Sequence, residues 1–525
     1  MTLSFTTVCA WSALLSATTL SIGAVAHASE ESSDTAQQIA QLRAANEALA
    51  AKVNKLEASA QAGSQEGHWL TEQRADEIRA IVSDVLADSN ARTSLQSSGA
   101  TAGWNKDQGG FFLASPSGDF KMNIKGQIQA RWVYNHRDNA GLTGSARFKE
   151  DAWGFENRRT KIGFGGFVVD PSWGYLLKLI FNRSPGALSS GDQTYSNGNI
   201  VASIEDAWIQ KDFGNGVTLR VGQFKAPYIR EELVTSGAQL LVERSMVNDV
   251  FSTKFSQGIQ LELGGRAGDP LRAQLFYGDG FRANATSVPT SSTAAAGGYG
   301  GSYTTSFSQN LTNYAFAGRL EWLGAGQWKQ FNDLTSYRGE EFAWMLGFGG
   351  MAQSLRPGTD GAVSDATTSS MWGATADLSV DFGGANVFVY GVYRHVSLTG
   401  EVDTRGGESD AMDQFGAVVQ GGYFLSNEVE VFARYELGNT DTDKFRTAET
   451  DAQLELNSTA TAGFNYFFGG NKDVKLTMDF GYAFDSIGDF NNSGADWLQD
   501  GTTTTGDGRS NDGQWVCRTQ LQLLF

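Results

Sequence analysis

The chain has 525 residues, with 63 Gly, only 7 Pro and 12% aromatic residues. Proline offers no N–H to a sheet ladder, so this composition favours one large all-β unit over several soluble domains. The formal net charge of −18 argues against a nucleic-acid partner, which requires a basic surface.

Residues 1–28 have the pattern of a cleaved export signal. An Ala26-His27-Ala28 cleavage site precedes Ser29 and follows an apolar core made of Leu14, Leu15, Leu20, Ile22 and Val25. The core departs from the usual pattern because no Lys or Arg precedes it. A retained anchor is the alternative, but the apolar run is shorter than the roughly 20 residues that span a bilayer.

Residues 29–62 are predicted to form a short oligomerising coiled coil. Heptad core positions are occupied by Ile39, Leu42, Asn46, Leu49, Val53 and Leu56. The polar Asn46 would fix the register at a cost in stability. A lone amphipathic helix is the alternative. Residues 63–108 are predicted to hold a second helix, over 71–92, and a linker that includes 97–103, and both helices are expected in the periplasm.

From Asp119 onward the apolar period changes from helical to two. Over residues 121–132 every odd position is polar and every even one is small or apolar, and the pattern recurs at 374–382, 429–436 and 474–480. Such alternation is typical of a strand with one wet and one apolar face.

The connections between these strands alternate in length. Tight turns lie near 170–171, 214–216, 266–270, 383–384, 426–427 and 469–471. Long polar loops lie near 136–155, 184–199, 227–253, 281–311, 353–369, 398–411, 440–452 and 487–513. We therefore predict an all-β fold in which residues 109–525 form a transmembrane antiparallel β-barrel of about 16 strands, preceded by the helical segment.

The final strand supports localisation in the outer membrane of a Gram-negative-type bacterium. Residues 518–525 alternate and end on Phe525, an aromatic terminus of the kind that outer-membrane barrels present to their assembly machinery.

Several segments of the barrel resemble the phosphate-selective porin O and P family. The matching stretches are Arg-Arg-Thr-Lys-Ile-Gly-Phe at 158–164, Val-Gly-Gln-Phe-Lys-Ala-Pro at 221–227, Val-Glu-Arg-Ser at 242–245, Gly-Gly-Tyr-Phe-Leu at 421–425, Phe-Ala-Arg-Tyr-Glu at 432–436 and the last strand. The resemblance implies a homotrimeric porin of sixteen strands in outer-membrane lipid, with a third loop that folds inward. It leaves the solute open.

The wet faces of the strands supply the candidate pore-lining residues. Their basic members are Lys121, Lys125, Arg131, Arg159, Lys161, Lys178, Arg220, Arg272, Arg319, Arg394, Arg434, Lys475 and Arg518. Their acidic members are fewer: Asp119, Asp206, Glu262, Glu321, Asp377, Asp381, Glu430, Glu436 and Asp479. A basic excess would favour small inorganic anions. The equally weighted alternative is a neutral girdle in which the charges pair across strands.

Residues 227–253, after the fifth strand, form the candidate constriction loop. Its apolar residues would pack against the wall, and its charged members are Arg230, Glu231, Glu232, Glu243 and Arg244. An ordinary surface loop is the alternative.

The expected function is passive diffusion of small hydrophilic solutes, with anions such as phosphate favoured. A structural outer-membrane protein that reaches the periplasm or cell wall through its N-terminal helices, with a non-selective pore, is the alternative. An enzyme is not expected, because His136 and His395 have no evident Ser partner. The scattered Cys and His residues indicate no metal site and no cofactor.

Overall fold

The computed structural model describes residues 99–105, 110–136, 151–183, 200–281, 312–355, 368–404, 407–441, 456–485, 497 and 513–525. The predicted signal peptide, coiled coil and second helix lie outside these residues. Within the described part of the chain, no helix is both long and apolar enough to cross a bilayer.

The described residues form eighteen strands of one sheet. The strands are β1 Thr101–Asn105, β2 Gly110–Ala114, β3 Phe120–His136, β4 Asp151–Val168, β5 Trp173–Arg183, β6 Ile200–Gly214, β7 Val217–Lys225, β8 Phe255–Gly264, β9 Leu271–Gly278, β10 Thr312–Ala325, β11 Ala343–Leu355, β12 Thr368–Asp381, β13 Ala385–Thr404, β14 Gly407–Phe424, β15 Val429–Asn439, β16 Asn457–Phe467, β17 Val474–Ala483 and β18 Trp515–Leu524.

Strands β3 to β18 close into a barrel. Each pairs antiparallel with the next, and β18 pairs back onto β3 from Trp515↔His136 to Leu524↔Gln127. Closure leaves no free edge along the wall, which is the condition for strands in lipid. The predicted sixteen-stranded antiparallel barrel is confirmed.

The first two strands form a hairpin on β3. Residues 111–114 of β2 pair with 121–124 of β3, next to the stretch of β3 that pairs with β18. The predicted linker is therefore wrong over Thr101–Asn105, and sheet structure begins before residue 109. The five residues of β1 lack the alternation that marks the other strands. β1 pairs antiparallel with β2 from Thr101↔Ala114 to Asn105↔Gly110, and the Trp104 and Phe111 rings lie 4.9 Å apart.

The two faces of the wall differ in polarity as the alternation predicts. Large apolar side chains such as Trp153, Phe155 and Ile209 are exposed on the outer face, at 69%, 75% and 60%. Polar side chains such as Gln129 and Glu430 are buried on the inner face.

Trp208 differs from the exposed aromatic residues of the outer face. Its ring packs against the inner apolar core and lies 4.5 Å from the Arg220 guanidinium. A bulge in β6 precedes this residue and changes which residues of the strand face inward.

The C-terminal residue completes the closure. The Gly126 N–H donates to the Phe525 carbonyl at 2.6 Å, and the Phe525 N–H donates to the Gly126 carbonyl at 3.1 Å. A Cβ on Gly126 would lie 2.1 Å from the Phe525 ring. Gly126 thus leaves the space that the terminal ring occupies on the wall.

We expect Gly126→Val to lower the free energy of unfolding by about 1–3 kcal/mol, because the added methyl groups overlap the Phe525 ring. Urea titration of the protein folded in detergent measures this loss. Gly154→Val is the matched control, since nothing lies within 4 Å of a Cβ there. Equal unfolding midpoints for the two variants would contradict the assigned role of Gly126.

Candidate functional site

The connection between β7 and β8, residues 226–254, lies inside the barrel and is called the inward loop. It contains helix α1 Arg230–Leu233, a 3₁₀ turn Ser236–Ala238 and helix α2 Met246–Phe251. The Ser245 hydroxyl caps α2 by accepting from the Asn248 N–H at 2.9 Å. Nearly all residues of the inward loop are buried, although the loop is a connection between two strands.

Apolar side chains hold the inward loop against the wall. A Cβ on Gly416 of β14 would meet Val247 at 2.6 Å and Phe251 at 3.2 Å, so the glycine makes room for α2. On β13, Phe388 and Tyr390 are buried in the same core while the intervening Val389 is exposed. This part of the wall is apolar on both faces, which alternation alone does not reveal.

Wall side chains also donate to the loop backbone. Three such bonds run from Lys475 to the Gln239 carbonyl at 2.8 Å, from Asn465 to the Leu240 carbonyl at 3.0 Å and from Arg434 to the Glu243 carbonyl at 3.0 Å. Arg319 and Arg394 donate to the Tyr228 and Val250 carbonyls in the same way. These basic residues therefore hold the loop in place.

Two carboxylates of the inward loop stabilise the loop through hydrogen bonds and ion pairs. Glu231 accepts from the Ser245 N–H at 2.8 Å and from the Tyr390 hydroxyl at 2.9 Å. Glu232 accepts from the Asn248 amide at 2.8 Å, and its carboxylate lies 3.6 Å from Arg244. Both acids are satisfied by partners within or beside the loop.

Glu243 is the loop residue on which arginines converge. It contacts Arg131 of β3, and its oxygens lie 2.8 Å from Arg158 Nε and 2.6 Å from Arg159 Nη2 of β4. Glu243 belongs to the loop and not to a spanning strand. Burial acts to raise the pKa of its carboxyl, but the three guanidinium groups prevail and hold that pKa well below its usual range.

Two further basic residues lie on β4 and β5. Lys161 Nζ lies 2.5 Å from Glu205, and Lys178 Nζ lies 3.3 Å from Glu205 and 3.5 Å from Asp206. These two lysines face two carboxylates of β6, so the positive excess on this side of the wall lies at the Glu243 cluster.

The opposite part of the wall is closer to neutral. Arg319 lies 2.7 Å from Glu321 and 2.8 Å from Asp377, and Arg518 lies 2.7 Å from Asp479. Further pairs join Arg434 to Glu436 and Arg272 to Glu321. On β10–β18 the lining charges form a girdle of ion pairs, whereas on β3 and β4 three arginines converge on Glu243. The basic lining and the paired girdle therefore describe different parts of one wall.

The alternation of polar and apolar residues does not predict two residues of the site, because both lie at β-bulges. The pairing of β3 with β4 steps from Gln129↔Arg159 to Ala130↔Asn157 and leaves Arg158 as the extra residue. In β6 the pairing skips Glu205 in the same way. A bulge adds one residue and turns it to a face that alternation does not assign.

Other candidates lie apart from the Glu243 cluster. The Lys121 ammonium lies 5.3 Å from the Phe112 ring of the β1–β2 hairpin, and Lys125 is exposed. Arg220 donates to Gln210 at 2.7 Å. Asp119 lies in the turn before β3, where it accepts from Ser117 at 2.7 Å, so its placement on a strand is wrong.

The histidines considered for catalysis lie on the outer face near the long loops. His136 Nδ1 is 2.8 Å from Asp151, which also accepts from the Tyr134 hydroxyl at 2.5 Å. His395 is likewise 2.8 Å from Asp413. The geometry thus gives each ring an aspartate partner, away from the interior.

A closed barrel with an apolar exterior and a charged interior around an inward loop defines an outer-membrane channel. The family model of phosphate-selective porin O and P matches residues 128–483. The chain belongs to this family. Comparison with curated protein sequences gives no match.

The solved structures to which this chain is similar include an anion-selective porin, an outer-membrane channel and a further outer-membrane protein. An anion-selective porin from Comamonas acidovorans has 12% identity and a TM-score of 0.46, over 77% of this chain and 99% of that one. The channel DcaP of Acinetobacter baumannii has 12% identity and a TM-score of 0.45, over 81% and 100%. OmpT of Vibrio cholerae has 11% identity and a TM-score of 0.44, over 77% and 98%.

We expect Glu243→Gln to lower the free energy of unfolding by about 3–5 kcal/mol, because three guanidinium groups lose their shared counter-charge. Urea titration in detergent again measures the loss. Glu156→Gln is the control. This acid also faces Arg131, at 3.3 Å, but its side chain is 44% exposed, and we expect its loss to cost about 1 kcal/mol or less. Similar losses in both variants would refute the central position of Glu243.

Proposed function

We propose that this barrel is a passive diffusion channel that favours small inorganic anions, phosphate among them. The observation that carries the proposal is the convergence of Arg131, Arg158 and Arg159 on the single loop carboxylate of Glu243. Three guanidinium groups against the two carboxylates of Glu243 and Glu156 leave a local excess of one positive charge, although the whole chain is acidic.

The position of this excess determines its effect on solutes. The inward loop reduces the open cross-section, and we infer that a solute passing it comes close to the partly exposed Arg158 of β4. Inside a narrow, low-dielectric tube a positive lining raises the local concentration of anions. The paired charges on β10–β18 largely cancel and add little to this field.

Arg158 is the group best suited to contact a solute. Its side chain is 25% exposed, whereas those of Arg131 and Arg159 are 0% and 11% exposed. A guanidinium presents paired N–H donors that match two oxygens of a phosphate. Arg131 and Arg159 are better placed to hold Glu243 and to contribute charge from behind.

The proposal includes a homotrimer in outer-membrane lipid, as the family resemblance implies. The exposed apolar side chains around the wall supply the surface that lipid or a neighbouring copy would cover. Recognition of Phe525 by the assembly machinery belongs to the same proposal, and the ring lies at the junction of the first and last barrel strands.

Current measurements in planar bilayers test the selectivity. In a KCl gradient we expect a reversal potential of the sign that indicates anion preference, and added phosphate should reduce the chloride current. A reversal potential that indicates cation preference would overturn the anion proposal while leaving the channel intact.

We expect Arg158→Gln to raise the half-blocking phosphate concentration about tenfold, because the substitution removes one charge-assisted hydrogen bond to phosphate. Arg266→Gln is the matched control, because it also removes one guanidinium. Arg266 lies in a short turn, 45% exposed, and pairs with Asp212 at 3.3 Å. An unchanged half-blocking concentration in Arg158→Gln would exclude Arg158 from the site.

A further inference from the structure

The connection between β10 and β11, residues 326–342, is longer than the other short-side turns and is called the crossing segment. It begins beside its own strands with a 3₁₀ turn, Trp328–Asn332, and the Trp328 indole N–H donates to the Asp269 carbonyl of the neighbouring turn at 2.9 Å. Its middle part then turns into the mouth, since Phe331, Leu334 and Ser336 are buried.

The far contacts of the crossing segment lie on the strands near the end of the chain. The Tyr337 ring is 5.7 Å from Phe424, at the end of β14, and 5.5 Å from Phe467, at the end of β16. Asp333 pairs with Lys472 of the β16–β17 turn at 2.8 Å. Between its two ends the segment also meets the β12–β13 turn, where the Gly383 N–H donates to the Ser336 hydroxyl at 3.1 Å, so it extends over the β12–β17 side of the opening.

The crossing segment also meets the inward loop, which enters from the opposite end. Arg230 Nη2 donates to the Phe331 carbonyl at 2.6 Å, and the Leu334 N–H donates to the Ala238 carbonyl at 3.1 Å. The two inward segments therefore support each other within the lumen.

Carboxylates of the wall lie beneath the crossing segment. Glu430 is fully buried and accepts from the Thr335 hydroxyl at 3.4 Å and from Asn386 and Asn465 of the wall. Asp381 is 7% exposed and lines a small cavity with Arg230, Asp333 and Leu334. The segment thus covers acidic side chains of β12–β15 and separates them from the open lumen.

We propose that the crossing segment is a second constriction, which closes the acidic half of the short-turn mouth and directs solutes along the basic strands β3–β5. This inference rests on the proposed function and extends it. Strands β3 and β4 beside the inward loop present basic side chains to the solute, and the crossing segment covers a competing acidic surface. Selectivity is then set by two segments that enter from opposite ends.

Release of the far end of the crossing segment tests the proposal. Tyr337→Ala combined with Lys472→Gln removes the ring contacts with Phe424 and Phe467 and the ion pair with Asp333. The matched control combines Tyr466→Ala with Arg266→Gln, which removes one tyrosine and one positive charge from short-side positions that contact neither inward segment in the described structure. We expect higher single-channel conductance and a reversal potential shifted toward zero in the released variant, and native values in the control.

The Glu430→Gln substitution distinguishes two causes of a shifted reversal potential: exposure of wall carboxylates and a wider pore. In the otherwise native protein we expect no shift of the reversal potential, because Glu430 is covered. In the released variant it should restore part of the lost anion preference while the conductance stays high. Heat-modifiable migration on gels verifies that each variant is folded.

The outcomes distinguish this inference from the proposed function. Native conductance and reversal potential in a folded released variant would overturn the second constriction, whatever the selectivity of the native channel. Higher conductance with an unchanged reversal potential would overturn its role in selectivity. Absence of anion preference in the native protein would instead refute the proposed function.

Discussion

The requirement that every backbone N–H and C=O in lipid find a partner within the sheet governs the rest of this structure. Pairing of β18 with β3 meets it, and Phe525 extends the pairing to Gly126. A closed wall of sixteen strands encloses a lumen too wide for its own side chains to fill. The interior then needs further chain to narrow it, and the inward loop and crossing segment supply that chain.

The buried charges follow from this arrangement. A loop inside a polar tube must have its carbonyls and carboxylates satisfied, since unpaired buried groups are costly. Lys475, Asn465 and Arg434 donate to its backbone, and Glu243 takes guanidinium groups from β3 and β4. The side chains that hold the inward loop in place therefore also determine the charge of the proposed constriction. In the proposed channel, selectivity and stability therefore depend on the same contacts.

The sequence specified the wall well, because one wet and one apolar face impose a period of two that survives in segments such as 121–132. It specified the inward loop through its length and its mixed apolar and charged residues. Arg158 and Glu205 were missed because bulges interrupt the period. The cover over Glu430 was missed as well, since nothing in a local pattern reports which distant side chains residues 326–342 will meet.

The bulges at Arg158 and Glu205 carry a consequence for how such a pore can change. A substitution within a regular strand is constrained by the facing of its position, and a charge placed on the lipid side is penalised. Insertion of one residue as a bulge adds a side chain to the lumen while the flanking residues keep their faces. Lumen charge can thus be altered by single-codon insertions as well as by replacements. In β6 the bulged backbone is stabilised locally, because the Gln223 amide donates to the carbonyls of Ile204 and Glu205.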